Sequence, residues 1–114
     1  MMAANLQVYL AVGDVDLRGA FDRLAAVTRN VLRKDPESGA LFLFLNRRRN
    51  RLKALWFDRN GYVILYKRLC KGSTFHVPPV HNGATSVEIS ADDFARLLAG
   101  LPAMARSQLS PTLH

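Results

Sequence analysis

Cations that suit phosphate binding are concentrated in one segment of this chain. Residues 46–71 contain nine of its sixteen Lys and Arg residues and one acidic residue, Asp58. The formal charge of that segment is therefore +8, within a chain whose total charge is +7. A positive charge this localised favours a polyanionic partner, because each phosphate that a cation neutralises releases condensed counterions.

The densest part of this segment is an arginine run over residues 47–51. Arginine suits phosphate because its planar guanidinium group can bind two oxygens at once. The ordinary alternative is a solvated loop that keeps a basic protein soluble, and the cations nearby favour phosphate contact instead. The predicted phosphate contacts are four residues of the run and four cations that follow it: Arg47, Arg48, Arg49, Arg51, Lys53, Lys67, Arg68 and Lys71.

Aromatic residues are interleaved with these cations, namely Trp56, Phe57, Tyr62 and Tyr66. Such side chains could stack on bases, as they do in proteins that bind single-stranded nucleic acid. Aromatic residues in strands are more often part of the core. The core interpretation is the one we favour for these four residues.

Four aspartates invite a different chemistry, since two-metal phosphoryl transfer needs carboxylates that hold Mg²⁺. An ordinary local role fits each of them better. Asp14 and Asp16 stand where a helix cap is expected, Asp22 lies on a predicted helix, and Asp58 borders a tight turn. A small metal-dependent nuclease is therefore the least favoured of the functions that we consider.

The histidines and the cysteine match no known catalytic or metal-binding pattern. His76 and His81 lack a cysteine partner at zinc spacing, His114 is the last residue, and Cys70 stands alone. The chain also lacks a Gly-rich phosphate loop and a nucleophile elbow. We predict no catalytic residue, no metal site and no cofactor.

Length and composition set the frame for these candidates. The chain has 114 residues, of which 49% are hydrophobic and 22% charged, so one globular domain with one core is expected. The apolar run at residues 41–45 is far shorter than the roughly 20 residues of a membrane helix. With no secretory signal pattern and a single cysteine, we expect a soluble protein of the reducing cytoplasm, without a membrane partner.

The first half of the chain predicts a strand, a helix and a second strand. Residues 6–12 are rich in strand-forming types. Apolar residues at three- and four-residue spacing then predict a helix of about four turns over residues 17–31, capped by Asp14 or Asp16. Pro36 and Gly39 end that region, and residues 40–45 predict the next strand.

A hairpin follows the arginine run, with predicted strands at residues 52–58 and 62–69. Asn60 and Gly61 are typical of a tight type I′ turn, and placing them at its centre sets Phe57 opposite Ile64. The face that carries Trp56 is the more continuously apolar one. We therefore predict that this face is the core side.

A second helix is predicted after Ser90, which is expected to cap it together with Asp93 three residues later. Residues 1–101 then form one domain, and residues 102–114 are expected to be a mobile tail. The order of elements predicts a small α+β domain with a mainly antiparallel sheet, a central hairpin and both helices packed on one face.

Four separated motifs resemble the TnpB accessory protein of the insertion-sequence sixty-six family, which is distinct from the RNA-guided nuclease of the same name. Two of them are GDVDLRGAFDRLA at residues 13–25 and NRRRNRLKALWF at residues 46–57. The other two are Asp35-Pro36 with Ser38-Gly39, and Gly61 followed by LYKRL at residues 65–69. The resemblance runs from about Val8 to Leu101.

The resemblance implies a role in bacterial DNA transposition beside a separate transposase, whose own catalytic acids would cut the strands. It also marks five residues of the first motif as candidates for importance: Asp16, Arg18, Phe21, Asp22 and Leu24. We interpret Asp16 and Arg18 as a helix cap or as contacts to a partner, and Phe21 and Leu24 as core residues.

The sequence as a whole predicts a non-enzymatic accessory protein that binds DNA through its basic hairpin surface and assists the transposase. The alternative is a protein-interaction module that docks on acidic parts of the transposase without touching DNA. Steep salt dependence of DNA binding would separate the two. The sequence leaves the oligomeric state and any DNA sequence preference open.

Overall fold

The computed structural model describes residues 6–104, which form five strands and two helices. The strands are β1 (Val8–Ala11), β2 (Leu41–Leu45), β3 (Arg51–Asp58), β4 (Gly61–Arg68) and β5 (Ser86–Ile89). The helices are α1 (Phe21–Asn30) and α2 (Ala91–Leu98). All five strands belong to one sheet with the order β4-β3-β2-β1-β5.

The sheet is mainly antiparallel, with β1 and β2 as its parallel pair. The predicted small α+β domain is thereby confirmed. The β3–β4 hairpin forms one edge of the sheet, which corrects the expectation of a central hairpin. The opposite edge is β5, which pairs with β1; the sequence had shown its residues only as a lead into the second helix. This strand was not predicted because its four residues are too few to show a clear alternation of polar and apolar types, and because its partner β1 lies at the other end of the chain.

The two helices lie on opposite faces of the sheet, which corrects the expectation that they share one face. Residues of α1 pack with Phe42, Phe44 and Leu55, whereas residues of α2 pack with Leu41 and Leu43. The reason is that β2 is buried along its whole length, so apolar side chains project from both of its faces. Each face then needs its own cover, and one helix supplies it on each side.

Helix α1 begins at Phe21, one turn later than the apolar spacing predicts. Its N-cap is Ala20, which makes no side-chain cap hydrogen bond, so neither Asp14 nor Asp16 is the cap. Leu24 is fully buried as predicted, but Phe21 is 44% exposed. Leu17 fits the apolar spacing because its side chain is also buried, but it lies in the turn before the helix.

The hairpin pairs two residues away from the predicted register. Phe57 lies opposite Tyr62, and the two residues of the turn are Arg59, which has a φ of 56°, and Asn60. The amide of Asn60 donates to the carbonyl of Asp58 across Arg59. Because side chains alternate with a period of two, a shift of two leaves each residue on its predicted face.

Both faces of the hairpin contribute to a core. The face of Trp56 packs on the α2 side, in agreement with its prediction as the core side, and the face of Leu55 packs on the α1 side. The sequence pattern was ambiguous between the two faces because both are apolar where they meet a helix.

Helix α2 begins as predicted: the Ser90 hydroxyl accepts a hydrogen bond from the amide of Asp93 at 3.0 Å. After the helix, the amide of Met104 donates to the Asp93 carboxylate, so the first residues of the predicted tail contact α2. The rest of that tail, residues 105–114, lies outside the described residues. Within residues 6–104, neither helix has the length and apolar character needed to cross a membrane.

Candidate nucleic-acid interface

The arginine run forms a tight turn between β2 and β3 that is built around Asn46. The Asn46 side-chain oxygen accepts hydrogen bonds from the amides of Asn50 and Arg51, at 3.1 and 2.9 Å. Its amide group donates to the side-chain oxygen of Asn50 at 2.7 Å. Arg49 has a φ of 57°, and its carbonyl accepts from the amide of the buried Phe75. The backbone of the turn is therefore fixed while its arginine side chains stay exposed.

This turn faces the loop between β1 and α1 across a cleft of about 550 Å³. The loop contributes the motif residues Asp16 and Arg18, which lie far from the arginines in sequence. The lining residues are Asp14, Val15, Asp16, Leu17, Arg18, Asn46, Arg47, Arg48, Arg51, Lys53 and Tyr66. The structure thus brings both groups of predicted site residues, the basic run and the first family motif, to one place.

The lining of the cleft carries five cations against two carboxylates. One of those carboxylates is already matched, because Arg18 binds Asp16 through a fork in which its Nη2 lies 2.8 Å from Oδ2. Hydrogen bonds from the Arg18 side chain and amide hold the pKa of Asp16 well below its ordinary value, and the same pair raises the pKa of Arg18. The charge offered to a ligand is therefore mainly that of the cations contributed by the turn and the hairpin.

Lys53 lies under the loop rather than at its surface. Its ammonium group donates to the carbonyls of Leu17 and Gly19, the latter at 3.0 Å, and the side chain is half-buried. It also lies 5.3 Å from the ring centroid of Tyr66, the residue opposite it on β4. Lys53 thus joins the loop to the sheet. The sequence predicted only a phosphate contact for this residue.

The remaining predicted contacts lie outside the lining of the cleft. Arg68 is exposed on β4 directly opposite Arg51, so it extends the basic surface along the hairpin. Lys67 points to the other face, where its ammonium donates to the carbonyl of Leu98 at the end of α2. Arg49 and Lys71 are exposed in turns. The eight predicted cations are therefore divided between two faces of the sheet.

Comparison with known proteins supplies the family. Residues 6–108 match a family model described as IS66 Orf2 like protein. The chain belongs to this family. It is 36% identical over 97 residues to Uncharacterized protein y4hO of Sinorhizobium fredii, covering 85% of this chain and 82% of that protein. It is 34% identical over 97 residues to Uncharacterized protein y4jC of the same organism, covering 85% and 80%. No solved structure matches the chain.

Membership in the IS66 Orf2-like family confirms the resemblance seen in the motifs and implies an accessory protein of transposition. The cleft lies between two of those motifs. The first motif supplies Asp16 and Arg18, and the arginine motif supplies the turn. Two of the four segments that carry the resemblance therefore meet at this basic cleft.

The aspartates considered for metal binding do not converge. Asp14 and Asp16 line the cleft, Asp22 lies on α1, and Asp58 lies at the tip of the hairpin. Across residues 6–104, His, Cys, Asp and Glu side chains form no group of three or more that could hold a metal ion.

Sequence reasoning missed three residues that shape this Orf2-like site. Asn46 holds the arginine turn, and the sequence signal for this role was the pair Asn46 and Asn50 on either side of Arg47–Arg49, because Asn side chains often bond to nearby backbone groups in turns. Arg23 lies over Gly19 and donates to the carbonyl of Asp16 at 3.2 Å. A Cβ at Gly19 would lie 2.1 Å from the Arg23 Cδ, so this position requires glycine as long as Arg23 stays in place.

Proposed function

We propose that this Orf2-like protein is a non-enzymatic accessory factor of transposition that binds DNA through its basic cleft and assists a separate transposase. The observation that carries the proposal is the cross-strand pair of Arg51 and Arg68. Both side chains are exposed, and they stand on directly opposite residues of β3 and β4. Like charges placed this way destabilise a sheet unless an anion lies between them.

The surroundings of this pair fit a phosphate backbone. Arg47 and Arg48 project from the rigid turn beside Arg51, so several guanidinium groups converge on the mouth of one cleft. Each can bind a phosphate through two oxygens. Contacts of this kind position a protein on DNA without reading its sequence. Any preference for an element end would then come from other contacts or from the transposase.

The experiment is fluorescence anisotropy with labelled duplex and single-stranded DNA, from an element end and from random sequence, over a series of salt concentrations. Arg48→Ala and Arg51→Ala should each weaken binding and lower the slope of log K against log salt by about one unit. The matched control is Arg29→Ala, which removes an exposed arginine of α1 outside the cleft. This control should leave the slope unchanged.

Two results would overturn parts of the proposal. If the wild-type protein fails to bind any DNA at low salt, the cleft is not a DNA site, and an acidic surface of the transposase becomes the partner to test. If purified protein cleaves DNA with Mg²⁺, and Asp14→Ala or Asp16→Ala abolishes that cleavage, the protein is an enzyme rather than an accessory factor.

A further inference from the structure

Tyr66 is the aromatic side chain that lines the cleft, and it is 51% exposed, which corrects the expectation that it belongs to the core. The other tyrosines are held by neighbours. Tyr62 lies edge-on to Phe57 and donates a hydrogen bond to Glu37, while Tyr9 stacks on Phe42. An exposed aromatic ring at the wall of a basic cleft is an available surface for a flat ligand.

The position of the Tyr66 ring is fixed from one side by Lys53. The ammonium group lies 5.3 Å from the ring centroid and is itself anchored to the carbonyls of Leu17 and Gly19. A cation over an aromatic face is attracted to it, so this contact favours one orientation of the ring. The ring is thereby preorganised, which lowers the entropy cost of stacking a ligand on its exposed surface.

We propose that the cleft binds unpaired DNA, with one base stacked on Tyr66 and the adjacent phosphates on Arg48 and Arg51. This inference rests on the DNA binding proposed above and specifies the kind of DNA. Basic grooves that present aromatic rings are the common solution for binding single strands. The cleft volume of about 550 Å³ is also in the range typical of small-ligand sites, so it can accept a nucleotide.

The preference for an unpaired strand follows from base stacking. Inside a duplex both faces of a base are covered by its neighbours, so the ring of Tyr66 has no free face to meet. Extruding a base from a duplex requires unstacking and unpairing it, and this free-energy cost is absent in a strand that is already open. Tyr66 should therefore contribute to the binding of single strands and very little to the binding of duplexes.

The test measures binding of one labelled oligonucleotide, free and annealed to its complement, at a fixed low salt concentration. The variants are Tyr66→Leu, Tyr66→Phe and the control Tyr62→Leu. The control removes a tyrosine from the same strand and the same sheet face, outside the cleft. Circular dichroism and the urea midpoint of each variant show that the fold is retained.

Loss of a stacked base costs about 1–3 kcal/mol. Tyr66→Leu should therefore weaken single-strand binding by roughly 5- to 150-fold, at about tenfold per 1.4 kcal/mol. Tyr66→Phe should stay within about threefold of wild type, because the ring remains. Duplex affinity should be nearly unchanged in every variant, and Tyr62→Leu should match wild type on both probes.

Two outcomes would overturn this inference and leave the proposed function standing. One is equal or tighter binding of the duplex by wild type, and the other is single-strand affinity that Tyr66→Leu does not alter. A wild-type protein that binds neither probe would overturn the inference and the proposed function together. The results thus distinguish a wrong kind of DNA from no DNA binding at all.

Discussion

Replacing Lys53 with methionine tests whether this lysine holds the cleft together from below. The change keeps the apolar stem and removes the ammonium group that donates to the carbonyls of Leu17 and Gly19. A hydrogen bond to a charged group contributes about 1.5–3 kcal/mol. Because the side chain is half-buried and the released carbonyls can regain water, we use the lower end for the pair together, about 2 kcal/mol.

The assay is urea unfolding followed by fluorescence of Trp56, the one tryptophan of the chain, which packs against the α2-side core. With an m-value of about 1.5 kcal/mol/M, a loss of about 2 kcal/mol lowers the urea midpoint by roughly 1.3 M. Arg48→Met is the matched control, since it removes one exposed cation from the same cleft. Its free energy of unfolding should stay within about 0.5 kcal/mol of wild type.

Equal urea midpoints for Lys53→Met and Arg48→Met would refute the reasoning. Lys53 would then be an ordinary surface cation, and the loop would be held by its other contacts. A lower midpoint for Lys53→Met alone would mean that any loss of DNA binding in this variant reflects the shape of the cleft as well as its charge.

Three further predictions concern residues on either side of the sheet. Leu24→Ala should lower the free energy of unfolding by about 2–5 kcal/mol, since Leu24 is fully buried, whereas Phe21→Ala should cost less than half as much in the same urea assay because its ring is 44% exposed. Lys67→Met should cost about 1–2 kcal/mol by urea unfolding, because it removes a cation bonded to the carbonyl at the end of α2, and an unchanged midpoint would contradict this. Asp16→Asn should destabilise the protein at neutral pH. The folded-state pKa of Asp16 is depressed, so its contribution is fully present above about pH 5 and shrinks as the pH falls toward that depressed pKa. The difference between the urea midpoints of the two proteins should therefore be smaller at pH 3 than at pH 7.

Much of the fold could be predicted from patterns among residues that are close in sequence. The Ser90 cap depends on a residue three positions away, and the faces of the hairpin depend on alternation along each strand. These features involve near neighbours in sequence, so composition and spacing were enough to predict them. The predicted register of the hairpin was wrong by two residues. The turn places a positive φ at Arg59, and arginine has no special preference for that conformation, so the sequence contained no sign of it.

The candidate site was predictable in composition and unpredictable in arrangement. The cations of residues 47–53 were visible as a cluster, and the motif around Asp16 was visible as a resemblance. That these two segments face each other across one cleft follows from the parallel pairing of β1 and β2, which places the ends of both strands side by side. The spacing of residues in the sequence does not indicate that β1 and β2 pair.

The sequence by itself determined that this is a single small α+β domain of the IS66 Orf2-like family with its positive charge in one hairpin segment. Only the tertiary structure decided which cations face the cleft, that Lys53 and Lys67 hold backbone carbonyls more than 30 residues away, and that each helix covers its own face of the sheet. The physical reason is that charge and periodicity are properties of neighbouring residues. The partner of a hydrogen bond or an apolar face is chosen by how the whole chain packs.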